Sequence, residues 1–206
     1  MKTSIIIKST ELFLSLGFKS VTMDDIATEL GISKKTIYQH FDNKTKLVEA
    51  VTWSIFENIS VGIEAIIKED KNPIEEIYHI KRFVLEHLKD EKSSPQHQLQ
   101  KYYPKIFEAI KSEQSCVMND CLKSNLEKGI ALNLYRDTID IDFISKMYFN
   151  SMMAIKDKDV FPLKKFSMNM LMEHFIEYHL RGICTTLGIE TLENQPKTQE
   201  NQSILN

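Results

Sequence analysis

Between Ser33 and Lys46 the chain carries Lys34, Lys35, Lys44 and Lys46 against a single acid, Asp42. Interleaved with these cations are Thr36, Tyr38, Gln39 and His40. The set contains no nucleophile with an evident base, but it suits a polyanion. Lysines neutralise phosphates, and lysine, glutamine and threonine side chains can address base edges in the major groove. The charge is local. The whole chain of 206 residues holds 26 basic and 29 acidic side chains, for a formal net charge of −3, so a basic patch on this background marks one face.

Other chemistries lack their residues. Six glycines are too scattered for a phosphate-binding loop or a dinucleotide fingerprint. Cys116, Cys121 and Cys184 are an odd number without C-x-x-C spacing, which leaves no disulfide framework or zinc site and fits reduced thiols in a cytoplasmic protein. Glu76-Ile77-Tyr78-His79 is a single Glu-x-x-His, whereas a di-iron bundle needs a second copy. No H-E-x-x-H motif or nucleophile elbow occurs. The expectation is a non-enzyme with no cofactor and no metal. A membrane partner is not expected either, because no apolar run approaches the roughly 20 residues of a span.

Helices must position the patch. Hydrophobic residues make up 42% of the chain and turn residues are few, with 6 Gly and 5 Pro, which argues against a many-stranded sandwich. Apolar residues recur every three or four positions from Lys2 to Leu16, and Gly17 follows. Thr22 with Asp25 three residues on reads as a capping box, opening a two-turn helix that Gly31 ends. Ser33 caps the segment Lys34 to His40, and Asn43 caps a long helix from Lys44 to about Glu69. Two short helices joined at Gly31-Ile32-Ser33 match a helix-turn-helix. Ile37 and Phe41 face inward, and the opposite side is offered to the groove. On this reading Ser33, Lys34, Lys35, Thr36, Tyr38, Gln39 and His40 lie at the reading face, with Thr22, Tyr38, Lys44 and Lys46 placed to clamp phosphates.

Beyond residue 70, periodic runs open at Pro73, Pro104 and Asp140, with a loop at Ser93-Ser94-Pro95 and a last helix expected over Leu163 to Leu187. The fold expectation is all-α, with a three-helix N-terminal domain (1–48) and a larger C-terminal helical domain (49–189). Residues 190–206, polar and rich in Gln and Asn, read as a flexible tail. The apolar run Phe166, Met170, Phe175, Ile176, His179, Leu180, Ile183 and Leu187 is broader than one small domain readily buries, and predicts a homodimer through this helix and the segment Ile141 to Ile155.

The series Phe13, Gly17-Phe18, Thr22-Met23-Asp24-Asp25-Ile26-Ala27, Gly31-Ile32-Ser33, Thr36-Ile37-Tyr38, His40-Phe41, Lys44 and Leu47 resembles the DNA-binding domain of TetR-family transcriptional regulators, over about residues 5–51. Tyr178 to Ile183 is similar, more weakly, to the last helix of many members. The resemblance implies a homodimeric repressor of double-stranded operator DNA, dimerised by a four-helix interface. It also implies release by a small effector that binds the larger domain and moves the fourth helix. Phe56, Tyr103, Phe107, Met118 and Met147 fall on helices that surround the effector in that family, and their character suggests an apolar or aromatic ligand. Two departures are Lys8-Ser9, where members often carry alanines, and Lys35, where they often carry glycine. A ligand-independent or activating regulator is the alternative expectation.

Overall fold

The computed structural model describes residues 1–87, 95–157, 159–162 and 165–195. Helices α1 (Lys2–Leu16), α2 (Met23–Leu30) and α3 (Lys34–Tyr38) form the N-terminal unit, and α4 (Lys44–Lys68) runs from it into the larger domain. There follow α5 (Pro73–His87), α6 (Pro95–Tyr102), α7 (Pro104–Ala131), α8 (Ile141–Ala154), α9 (Met168–Ile183) and α10 (Thr186–Glu193). No strand occurs among the described residues beyond an isolated bridge between Tyr135 and Cys184.

The local signals act as expected. The Thr22 hydroxyl accepts from the Asp25 N–H at 3.2 Å while the Asp25 carboxylate accepts from the Thr22 N–H at 2.7 Å, completing the box. Ser33, Asn43 and Asp140 each accept a backbone N–H three residues on. Such caps satisfy donors that a helix start leaves open. Gly31 ends α2 in the left-handed region at φ 65°. Gly17 has φ 88° and ψ 152°, a conformation practically reserved for glycine.

The last helix is not continuous. It ends at Ile183 because Cys184 turns extended and the Thr185 side chain caps a new helix by accepting the Gly188 N–H at 3.1 Å. The break is pinned to the α7–α8 connection by Arg136 N–H to Ile183 O (2.9 Å) and Thr185 N–H to Leu134 O (2.9 Å). Helix α10 continues to Glu193 with Leu192 buried, so Glu190–Glu193 are folded rather than part of a tail. Residues 196–206, Leu163 and the Ser93-Ser94 loop lie outside the described residues.

Three buried apolar clusters organise the chain. One fills the N-terminal unit (Ile5, Phe13, Phe18, Ile26, Ile37, Leu47) and runs without interruption into Leu99, Ile106, Phe107 and Ile110 of α6 and α7. A second, at the far end of the larger domain, joins α5, α7, α9 and α10. A third holds Met152, Ile155, Leu171 and Met172 between α8 and α9. The apolar run expected of the last helix is spent in part inside this fold: Ile176, Leu180 and Ile183 are buried within the single chain, while Leu187, on α10, is exposed. The large apolar side chains of α8 and α9 most open to solvent are Phe143, Met147 and Tyr178.

Helix α4 corrects another expectation. By length and composition it could cross a membrane, since isoleucines at helical spacing extend its apolar run, with a mean hydropathy of 1.3 over its most apolar stretch. Its first turns, however, are built into the N-terminal core through Leu47, Val48 and Val51.

Candidate nucleic-acid interface

The reading helix starts from its cap. Ser33 accepts from the Thr36 N–H at 3.1 Å and its hydroxyl also meets the Thr36 hydroxyl at 2.8 Å, which holds the first turn of α3. Regular helix spans five residues, about 7.5 Å, rather than the seven expected. Helical bonds nevertheless continue, with the Gln39 N–H donating to Lys35 O (3.1 Å) and the Phe41 N–H to Ile37 O (3.0 Å), so Gln39 and His40 stay on the same rod. Ile37 is fully buried and Phe41 nearly so, which fixes the rod against α1, α2 and α4. Lys34, Lys35, Tyr38, Gln39 and His40 are exposed on the outer side, with Thr36 half-exposed. The burial pattern thus brings the expected reading set onto one face.

The cations on this face are not equivalent. The Lys34 ammonium lies 2.7 Å from the Asp24 carboxylate, which raises its affinity for the proton. Lys46 is similarly paired with Glu49 at 2.7 Å. Lys35 has no counter-charge among the described residues. Lys44 is half-buried and turned inward, its ammonium 3.4 Å from the Lys19 carbonyl of the α1–α2 turn. Desolvation pushes its pKa down, with the nearby Asp25 opposing. Lys44 therefore ties that turn to the start of α4 before it can serve any phosphate. Thr22 is exposed beside α2, but its hydroxyl is engaged in the capping box.

Behind the reading face sits a contact that sequence reasoning missed. The Gln98 side chain of α6 lies over Gly17, filling the space where a Cβ would stand, and its Oε1 accepts from the Lys19 N–H at 3.1 Å. The Lys19 ammonium lies 5.2 Å above the Tyr102 ring, and the rings of Phe18 and Tyr103 meet edge to face at 6.3 Å. With Lys19 and Gln98 79 positions apart, no local pattern could have announced the pair. Gly17 was the one hint, as a glycine just after a helix.

Of the residues expected around an effector, three come together and two stand apart. Phe107 is buried in the cluster that also fills the N-terminal unit, and Phe56 and Tyr103 pack against it. Met118 is half-buried on α7, while Met147 is 49% exposed on the outside of α8, so it does not line an interior cavity here. An open groove of about 380 Å³ between α7 and α8 has polar walls, including Glu108, Lys111, Ser115 and Asn119. It is unlike the aromatic cavity expected. Among the described residues no cluster of His, Cys, Asp or Glu could hold a metal ion.

Comparison with known proteins agrees with this geometry. Residues 5–51 match the family described as "Bacterial regulatory proteins, tetR family". The transcriptional activator FasR of Mycolicibacterium smegmatis is 33% identical over 64 residues, 31% of this chain and 29% of that protein. The negative regulator IcaR of the Staphylococcus aureus biofilm operon icaADBC is 35% identical over 60 residues, 29% of this chain and 32% of that protein. The chain therefore aligns with less than a third of the length of either. YvaF of Bacillus subtilis, an uncharacterised HTH-type regulator, is 28% identical with 89% of this chain and 95% of its own length covered. In fold, a TetR-family regulator from Agrobacterium tumefaciens superposes with a TM-score of 0.71 at 16% identity, covering 89% and 97% of the two chains. Residues 5–51 thus match the tetR-family DNA-binding domain in sequence, and the chain as a whole shares the fold of TetR-family structures.

Proposed function

We propose that the chain acts in the cytoplasm as a homodimeric repressor that a small molecule releases from its operator. The observation that carries this reading is the continuity of the first buried cluster. Phe13, Phe18 and Leu47 of the reading head share one core with Leu99, Ile106 and Phe107 of α6 and α7. Close-packed cores shift between discrete arrangements rather than deform smoothly, so any rearrangement of α6 and α7 must reorient the head. Two heads engage successive grooves only when spaced about 34–36 Å apart, which makes modest reorientation sufficient for release.

A place for the effector is suggested by the second half of α4. After Thr52 none of its residues is fully buried, although Ile55, Phe56, Ile59, Ile63, Ile66 and Ile67 make it strongly apolar. A loosely covered apolar wall between the first and second clusters favours a lipophilic ligand. Phe143, Met147 and Tyr178 on the outer side of α8 and α9 are offered as the second copy's contact. The similarity of the head to the activator FasR favours, as a second reading, activation by the same domain arrangement.

The test is a gel shift of DNA from the gene's own upstream region, followed by a thermal-shift screen of lipophilic compounds and addition of each hit to the protein–DNA complex. Displacement by a stabilising compound supports the proposal. Retention of DNA by every hit would instead favour a ligand-independent regulator, and hits that tighten binding would favour activation.

A further inference from the structure

We infer that Asp24 acts as a specificity device, withholding the Lys34 ammonium from DNA that lacks the operator sequence. Asp24 lies in the first turn of α2 and Lys34 at the first position of α3, so the pair bridges the N-terminal ends of the two helices of the helix-turn-helix. Both side chains are exposed, 65% and 45%, and their closest atoms are 2.7 Å apart. An exposed pair of this kind adds little to stability. Its effect lies in the field that the head presents. Three of the lysines of the head are similarly answered: Lys34 by Asp24, Lys46 by Glu49 and Lys8 by Glu11. Of these three, Lys34 alone belongs to the reading helix, and its neighbour Lys35 has no such partner among the described residues.

Non-specific binding to duplex DNA depends on how many phosphates find a cation, and it strengthens with each counterion released. With Lys34 satisfied by Asp24, a head on random sequence has one cation fewer to offer the phosphates, and Lys35 is the unpaired lysine that the reading helix supplies. On the operator, a well-fitted groove offers base edges and phosphates together, and these offset the loss of the pair. The carboxylate thereby lowers binding everywhere but costs the fitted complex least, which widens the ratio between the two.

The experiment measures binding of the full-length protein to a random-sequence duplex across a salt series, for wild type, Asp24→Asn, Lys34→Gln and the double variant. Asp24→Asn should steepen the slope of log K against log salt by about 0.9 for each engaged head, and tighten binding roughly tenfold per head near 0.1 M salt. In the Lys34→Gln background the same substitution should leave the slope unchanged, because no ammonium is released. Equal steepening in both backgrounds would overturn the inference by showing simple carboxylate–phosphate repulsion. No steepening with Lys34 present would overturn it as well. Melting curves of all four proteins confirm that each is folded.

Discussion

His179 should make the protein acid-sensitive, and the size of the effect follows from where it sits. Its ring packs edge-on against Tyr148 at 4.8 Å and lies 6.0 Å from Phe175, between α8 and α9. Its Nε2 is buried without a hydrogen-bond partner. Burial pushes its pKa down from 6.5 to about 4. The folded protein thus resists a proton that the unfolded chain accepts readily, and stability falls as pH drops from about 6.5 towards 4. That interval corresponds to roughly 3 kcal/mol in full, and to about 2 kcal/mol by pH 5. Urea unfolding of wild type and His179→Phe at about pH 7.5 and pH 5 isolates the contribution, since carboxylates titrate in both proteins. The wild type should lose about 2 kcal/mol more than the variant over that range. Parallel losses would show that His179 is not held neutral by its surroundings.

Three further outcomes follow from the same structure. Ser9 is completely buried in the head with no partner for its hydroxyl, so Ser9→Ala should stabilise by about 1 kcal/mol or more, raising Tm by roughly 2–4 °C. An unchanged or lower Tm in calorimetry would contradict this. Lys35→Ala should flatten the salt dependence of DNA binding by about one unit per head, measured by fluorescence anisotropy, because no internal carboxylate answers that cation. Lys81, buried on α5, is ion-paired with Glu173 of α9 and desolvation pushes its pKa down. Glu173→Gln should therefore cost about 3 kcal/mol in chemical denaturation, more than a surface pair would.

Much of the head was legible because its signals are local. Thr22 with Asp25, Ser33 and Asn43 each act on a backbone N–H three residues away, and apolar spacing placed Ile37 and Phe41 inward. What the chain does across longer separations was hidden. The break at Thr185 lies inside an apolar run, where a good cap is indistinguishable from a helical threonine until Leu134 and Asn133 accept its N–H and hydroxyl. The apolar face of α9 was real, but spacing alone did not tell that Ile176, Leu180 and Ile183 turn into this chain's own core while Tyr178 stays exposed. Lysine spacing marked a cluster of cations and said nothing of Asp24, ten positions before Lys34. The effector residues were the least legible, since an aromatic at helical spacing serves a core and a cavity equally well.

The shared core of head and α6–α7 also bears on how such regulators can be recombined. Cutting the chain after residue 48 to transplant a reading head onto another sensor would strip Leu99, Ile106 and Phe107 of their neighbours. It would also leave Gly17 without the Gln98 amide that fills its hollow. Functional chimaeras should instead retain a matched patch: Gly17 to Lys19 on one parent must be compatible with residues 98–110 on the other. The modular unit is thus a head together with its docking surface, and the seam for grafting lies in the middle of the molecule rather than at the end of the third helix.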